Sequence, residues 1–237
     1  MISVIIPVFN SSTELKNCLD SLLKQTEKDL EIILINDGSE DRKKLLRIIK
    51  EFKEKFKTKK IPFKFFEQSN KGAPAARNLG FKHSRGEYVI FCDADVILKP
   101  EALKKMKKKI KDTPGISYVY SSFYWGKKFF SLGPFREEKL KKEPFIHSTS
   151  LIKRKDFPSE GWDEKIKKFQ DWDLWLTMLE KGKRGLWINK NLFKVQTGKG
   201  TMSNWLPSFA YTYMPFLPQV KKYKKAKETI KKKHNLN

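Results

Sequence analysis

Cysteine, histidine and arginine are all scarce in this 237-residue chain. No apolar run is both long enough and free enough of charge to cross a bilayer as a helix. Cys18 and Cys92 cannot build a disulfide framework. Their apolar neighbours mark them as buried reduced thiols, which points to a reducing, cytoplasmic setting. His83, His147 and His234 lie far apart without metal-ligand spacing, and His83 and His234 read as structural or surface residues. There is no Walker loop and no Gly-x-Gly-x-x-Gly. Ser148 and Ser150 lack the flanking glycines of a nucleophile elbow. Ile2–Val8 is apolar but has no basic lead-in and ends at Pro7 and Asn10, so it does not read as a signal peptide.

Arginine supplies only seven of the 51 basic residues, although the net charge is +24. Such a charge calls for polyanionic company: nucleic acid, nucleotide phosphates or an anionic membrane surface. Reading nucleic acid favours the arginine fork over the hydrated lysine point charge. With no recognised binding module either, we expect no nucleic-acid partner. Solvated lysines spread over the surface are the plain alternative.

What is present is a core. Hydrophobic residues make up 39% and aromatics 13% of the chain, too much for disorder despite 33% charged residues. Continuous apolar runs at Ile2–Val8, Glu31–Asn36, Phe63–Glu67 and Tyr88–Cys92 suit strands buried on both faces of a parallel sheet. Helical spacing over Thr13–Lys24, Asp41–Lys57 and Ala73–His83 falls between them. This rhythm predicts an α/β, doubly wound, mostly parallel sheet with helices on both faces. The second half is less regular. It reads as helices at Glu101–Lys111 and Asp171–Lys181, with strands at Ser117–Trp125, Ile146–Lys153, Leu186–Ile188 and Leu192–Gln196.

Ligands of doubly wound sheets bind beyond the carboxyl ends of the strands. Polar clusters follow all four apolar runs: Pro7-Val8-Phe9-Asn10, Asn36-Asp37-Gly38-Ser39, Gln68-Ser69-Asn70-Lys71-Gly72 and Asp93-Ala94-Asp95. Four on one edge describe a site. Asp93 and Asp95 leave a buried strand two residues apart, so both can reach one hard cation, magnesium or manganese. Asp37 reads equally as a turn residue. The helix opening at Gly72 has free N–H groups suited to phosphate. Arg77 either clamps a diphosphate, braces the Asp-x-Asp loop or sits on the surface. Asp171 and Asp173 flank Trp172 at a helix start, where acids also serve as caps.

Taken together, these residues resemble the inverting family 2 of nucleotide-sugar glycosyltransferases, which have the GT-A fold. The order runs from Pro7-Val8-Phe9-Asn10 through Asp93-Ala94-Asp95 and Trp162-Asp163-Glu164 to Gln170-Asp171-Trp172. The resemblance implies transfer from a nucleotide-sugar, usually a UDP-sugar, to a hydroxyl of a glycan or lipid-linked acceptor. It implies that Pro7, Phe9 and Asp37 hold the nucleotide base, with Asn10, Gly72 and Arg77 also on the donor side. Asp93 would contact the ribose and the metal, Asp95 would ligate the metal, Asp171 would be the catalytic base and Trp172 would meet the acceptor. Two positions depart from the family pattern: Gln170 replaces an acid, and Gln196 replaces a metal-ligating histidine. A sugar nucleotidyltransferase and a catalytically weak, binding-only homologue are the competing readings.

The expected organisation is a glycosyltransferase domain over 1–204, with a nucleotide-binding half (1–98) and an acceptor half (99–204). A tail over 205–237 follows, uncharged and aromatic over Trp205–Gln219, then lysine-rich. Such a tail either covers the domain's own core or docks peripherally on the cytoplasmic membrane face.

Overall fold

The computed structural model describes residues 1–197, 214 and 216–236. Its first half alternates β1 (Ile2–Val8), α1 (Ser12–Leu23), β2 (Leu30–Asp37), α2 (Arg42–Thr58), β3 (Phe63–Gln68), α3 (Ala73–His83) and β4 (Tyr88–Phe91). Every residue of β1, β2 and β4 is buried, which requires cover on both faces of the sheet. Leu15, Cys18, Leu19 and Leu22 of α1 and Leu45, Ile48, Ile49, Phe52 and Phe56 of α2 supply part of that cover. Helix α3 packs closely on β1 and β2 at Gly80, where an added Cβ would meet Ile5 and Ile35.

The second half contains β5 (Val96–Leu98), α4 (Ala102–Lys111), β6 (Tyr118–Trp125), β7 (Lys128–Phe130), α5 (Glu137–Lys142), β8 (Leu151–Lys153), α6 (Gln170–Glu180), β9 (Gly185–Val195) and α7 (Pro218–Lys233). Among the described residues one nine-stranded sheet runs β3-β2-β1-β4-β8-β6-β9-β5, with β7 on β6. Pairing is parallel from β3 to β4 and between β6 and β9, while β5, β7 and β8 are reversed. The sheet is therefore mixed and mostly parallel.

Orientation decides which loops meet. The carboxyl ends of β1, β2, β4, β6 and β9 share one edge. The reversed strands β8 and β5 bring their amino ends, after Ser150 and after Asp95, to that same edge.

Three expectations are revised. The strand foreseen over Ile146–Lys153 is only Leu151–Lys153, because the preceding polar residues bond locally: the Thr149 N–H donates to His147 Nδ1 and the Ser150 N–H to the Ser148 carbonyl. The two strands foreseen near 190 are one, β9, and a register shift at Ser121–Phe123 absorbs its polar middle. The lysine-rich end is no free tail. Helix α7 buries Val220, Ile230 and the following His234 against the domain. Of the expected aromatic stretch, residues 205–213 and 215 lie outside the described residues, as does the boundary at 204.

Candidate functional site

The edge begins with two crossed loops. Asn10, at φ +50°, accepts the Glu40 N–H on its side-chain oxygen at 2.8 Å, and its own N–H donates to Ser39 Oγ at 3.1 Å. Phe9 beside it is 42% exposed, while Pro7 is buried. Asp37 is buried to 3% and stitches the next loop: Oδ1 accepts from Gln68 Nε2 and the Lys71 N–H, and Oδ2 from the Gly72 N–H, each at 2.8 Å. Asp37 thus holds the backbone N–H groups of Lys71 and Gly72 just before α3, so the Gly72 N–H at the helix start is already taken. Its role at a turn and its place at the site are the same role.

Arg77 is neither on the surface nor free to clamp a diphosphate. It is 5% exposed, its Nη2 donates to Asp93 Oδ1 at 2.7 Å, and its Nη1 donates to Gln170 Oε1 at 2.9 Å. Its guanidinium lies 4.5 Å from the Trp162 ring centroid. Of the readings open for Arg77, the structure gives the brace: it links the Asp-x-Asp loop to the first turn of α6. The neutral Gln170 leaves the Arg77 charge directed at Asp93.

Burial would raise the Asp93 carboxyl, but the Arg77 charge and the hydrogen bonds of Arg77 and Ser148 carry it below its ordinary value. Asp95 behaves oppositely. Burial and the neighbouring charge of Asp93 push it up to about 7, with Glu14 adding to the effect. Arg77 answers the charge of Asp93 but leaves Asp95 reluctant to ionise, and two carboxylates so placed suit a hard divalent cation. No group of three or more His, Cys, Asp or Glu side chains gathers for a metal among the described residues.

Gln196 does not offer its amide oxygen to a metal. That oxygen accepts from Asn17 Nδ2 at 2.6 Å, and its Nε2 donates at 3.2 Å to the carbonyls of both Glu14 and Asp95. Carbonyls only accept, so the nitrogen must face them. The Gln196 N–H adds a 2.8 Å bond to the Asp95 carbonyl, as β5 and β9 begin to pair. Gln196 anchors the backbone of the Asp-x-Asp loop.

Asp171 is half-buried in the first turn of α6 and accepts the Trp172 N–H at 2.9 Å. Burial pushes its carboxyl up to about 6, further raised by Asp93 and lowered by Arg77. Trp172, expected at the acceptor, is wholly buried, and its indole N–H donates to the Leu140 carbonyl at 2.6 Å. Such an indole presents no face to a sugar, so its contribution is to the core.

Two residues at this edge escaped the sequence reading. Ser148 Oγ donates to Asp93 Oδ2 at 3.2 Å. His147 sits against Phe123 and Phe193, pushed down to about 4 by burial, so it is neutral at pH 7. Only the reversal of β8 brings them here, and no local pattern encodes that.

Asn78 ties α3 to the loop behind Arg77: its oxygen accepts the Trp162 N–H at 2.8 Å and its nitrogen donates to the Trp162 carbonyl at 2.9 Å. Gly161 makes this possible. It has φ +70°, and an added Cβ would stand 2.5 Å from Asn78 Oδ1. Gly161→Ala is expected to cost about 1–3 kcal/mol through backbone strain and overpacking. Urea denaturation would measure it, and an unchanged midpoint would show that the loop yields freely.

Known proteins resemble this chain. A glycosyltransferase of Streptococcus pneumoniae, GlyA, is 40% identical over 109 residues, covering 46% of this chain and 15% of its own length. An uncharacterized glycosyltransferase of Methanocaldococcus jannaschii is 30% identical over 188 residues, 74% of this chain and 63% of its own. The chain therefore spans less than two thirds of either relative. Among solved structures, S. aureus TarS in complex with UDP-GlcNAc superposes with a TM-score of 0.68 at 20% identity, covering 91% of this chain and 64% of that one. The mannosyltransferase PcManGT of Pyrobaculum calidifontis, in complex with GDP-Man and Mn2+, gives 0.67 at 18% identity, over 84% and 58%. At such identities these likenesses establish the GT-A fold. The family model described as "Glycosyl transferase family 2" matches residues 3–172, from the first strand through the turn that carries Asp171, and the chain belongs to that family.

Proposed function

We propose that the chain is a metal-dependent, inverting glycosyltransferase that moves a sugar from a nucleotide-sugar to a hydroxyl of a glycan or lipid-linked acceptor. The observation that carries this reading is the Asp93–Arg77–Gln170 link, which ties an Asp-x-Asp pair to a half-buried carboxyl whose protonation falls near pH 6. Asp93 and Asp95 would hold the divalent ion, magnesium or manganese, which when bound neutralises the charge developing on a leaving diphosphate. The exposed Phe9 ring, with Pro7, Asn10 and the Asp37–Gly72 loop, would take the base and ribose, uridine being the first choice. Asp171 would draw the proton from the acceptor hydroxyl as it attacks, and one base suffices for a single, inverting displacement. Arg77 and Ser148 orient Asp93. A binding-only homologue is the second reading, favoured by Gln170 and Gln196, which stand where the family has an acid and a metal ligand.

A thermal-shift panel of UDP-sugars and GDP-mannose in manganese tests the donor. At about a hundred times its dissociation constant, the right donor adds roughly 2.7 kcal/mol, or about 5–10 °C for a chain of this size. If no nucleotide-sugar moves the midpoint, donor binding fails. Hydrolysis of the selected donor separates the enzyme from the binding-only homologue.

We also propose an anionic membrane surface as a partner, at the cytoplasmic face. On α7, Lys221, Lys222, Lys224, Lys225 and Lys232 are exposed, and Phe216 just before it is 63% exposed. No helix among the described residues is long and apolar enough to cross a membrane. Each lysine near an anionic leaflet contributes about 1 kcal/mol. The protein is expected to pellet with phosphatidylglycerol-containing but not pure phosphatidylcholine vesicles. Changing Lys221, Lys222, Lys224 and Lys225 to Glu should leave it in the supernatant, and equal pelleting would remove α7 as the anchor.

A further inference from the structure

Helix α7 lies beyond the stretch matched to the family, yet it grips the helix that carries Asp171. Near its start, Tyr223 meets Phe169 edge-on at 5.1 Å, and Phe169, at φ +60°, is the residue from which α6 departs. At its end, the Lys233 ammonium lies 2.7 Å from Asp173 and 2.8 Å from Asp163. His234, which follows, places Nε2 2.8 Å from Asp173 Oδ1 and Nδ1 2.7 Å from Glu180 Oε1. The His234 and Asp173 side chains are only 2% and 4% exposed. Ionised carboxylates only accept, so both ring nitrogens donate and the ring is an imidazolium. Two cations thus face Asp163, Asp173 and Glu180. Of the other acids lining the same cleft, Glu160 pairs with Lys181 and Glu164 accepts from Asn78.

Asp173 stands two residues from Asp171, roughly 200° around a helix axis of 3.6 residues per turn. Its backbone N–H closes the first turn onto the Phe169 carbonyl at 2.9 Å. Helix α7 therefore holds the back of the turn whose opposite side carries Asp171. The same cluster holds Asp163, next to the Trp162 that backs Arg77. We propose that α7 is a brace for the reacting turn, with His234 and Lys233 as positioning residues that act on Asp171 through Asp173. This rests on Asp171 being the base. A turn freed at Asp173 can roll or fray, and a misplacement of about 1 Å can cost on the order of a hundredfold in rate.

The test uses the full chain as His234→Gln and, because that change opens a buried cluster, separately as Lys233→Met, which keeps the histidine clasp. Three quantities are measured: turnover of the UDP-sugar selected by thermal shift, UDP affinity by calorimetry in manganese, and amide hydrogen exchange across residues 169–173. The brace requires kcat to fall about tenfold to a hundredfold with UDP affinity within about twofold, and exchange to quicken at those amides. Glu228→Gln, on the exposed face of α7, should change none of the three. Unchanged kcat, or kcat and UDP affinity falling together, overturns the proposal. Asp171→Asn run in parallel separates the two assignments: if it keeps full turnover, the base reading has failed, while the exchange data still report on the brace.

Discussion

Asp171→Asn is expected to lower sugar transfer by about a hundredfold or more, the usual consequence of losing a general base. Manganese-dependent UDP affinity should barely move, because the role proposed for Asp171 is at the acceptor and not at the donor. The wild-type rate should fall as pH drops through about 6, where the carboxyl gains its proton, and this acid limb should vanish in the variant. Stability should respond in the opposite sense. The unfolded carboxyl releases its proton near 3.8, whereas the folded one keeps it to about 6. Folding is therefore penalised as pH rises between those values, and the penalty persists above them. Near pH 7 the asparagine variant should be at least as stable as the wild type. Collapse of UDP binding or of the fold would make Asp171 structural.

The second large effect concerns the metal. Asp95→Ala should abolish manganese-dependent turnover, a loss of at least about a hundredfold, by removing one of two carboxylates that would hold the ion. The fold should survive, because the change removes the buried charge, and with it the burial cost and the repulsion by Asp93 that hold the Asp95 carboxyl up to about 7. A manganese titration of transfer rate beside a thermal melt checks both halves. Wild-type rate in manganese would sink the metal assignment.

Much of the first half was legible because one rule produced it. Strands such as β1 and β2 are buried on both faces, so their sequences are apolar throughout, and the helices between them show their period plainly. The Asp-x-Asp pair was legible for the same reason, as an abrupt change of chemistry after an apolar strand. Long-range partners were not legible. Arg77 on a helix face reads the same whether it meets water or Asp93, and Ser148 reaches Asp93 only because β8 runs backwards. Trp172 misled because a tryptophan beside an acid suits a sugar platform and a core equally well. In α7 the lysines drowned the spacing of Val220, Tyr223, Ile230 and His234, which seats the helix. The strand β9 looked broken at Asn189-Lys190-Asn191, because the register shift that absorbs those residues is a property of its pairing with β6.

The sheet order has a consequence for how the chain folds. Strands β1, β2 and β3 pair with partners reached through a single helix, so they assemble from fairly local contacts, whereas β4 must return to β1 and bring Tyr88 beside Ile2. The Asp-x-Asp loop is anchored differently. On one side it leaves β4, and on the other it enters β5, whose partner is β9, so that Val96 waits for Val195. Closing a loop of that length is slow compared with neighbour pairing. During refolding, the β1–β3 unit should therefore gain its secondary structure and burial before Asp93 and Asp95 are held in register. The divalent-ion site proposed at Asp93 and Asp95 would then form at the last stage of folding, and its return would mark the completed pairing of β5 with β9.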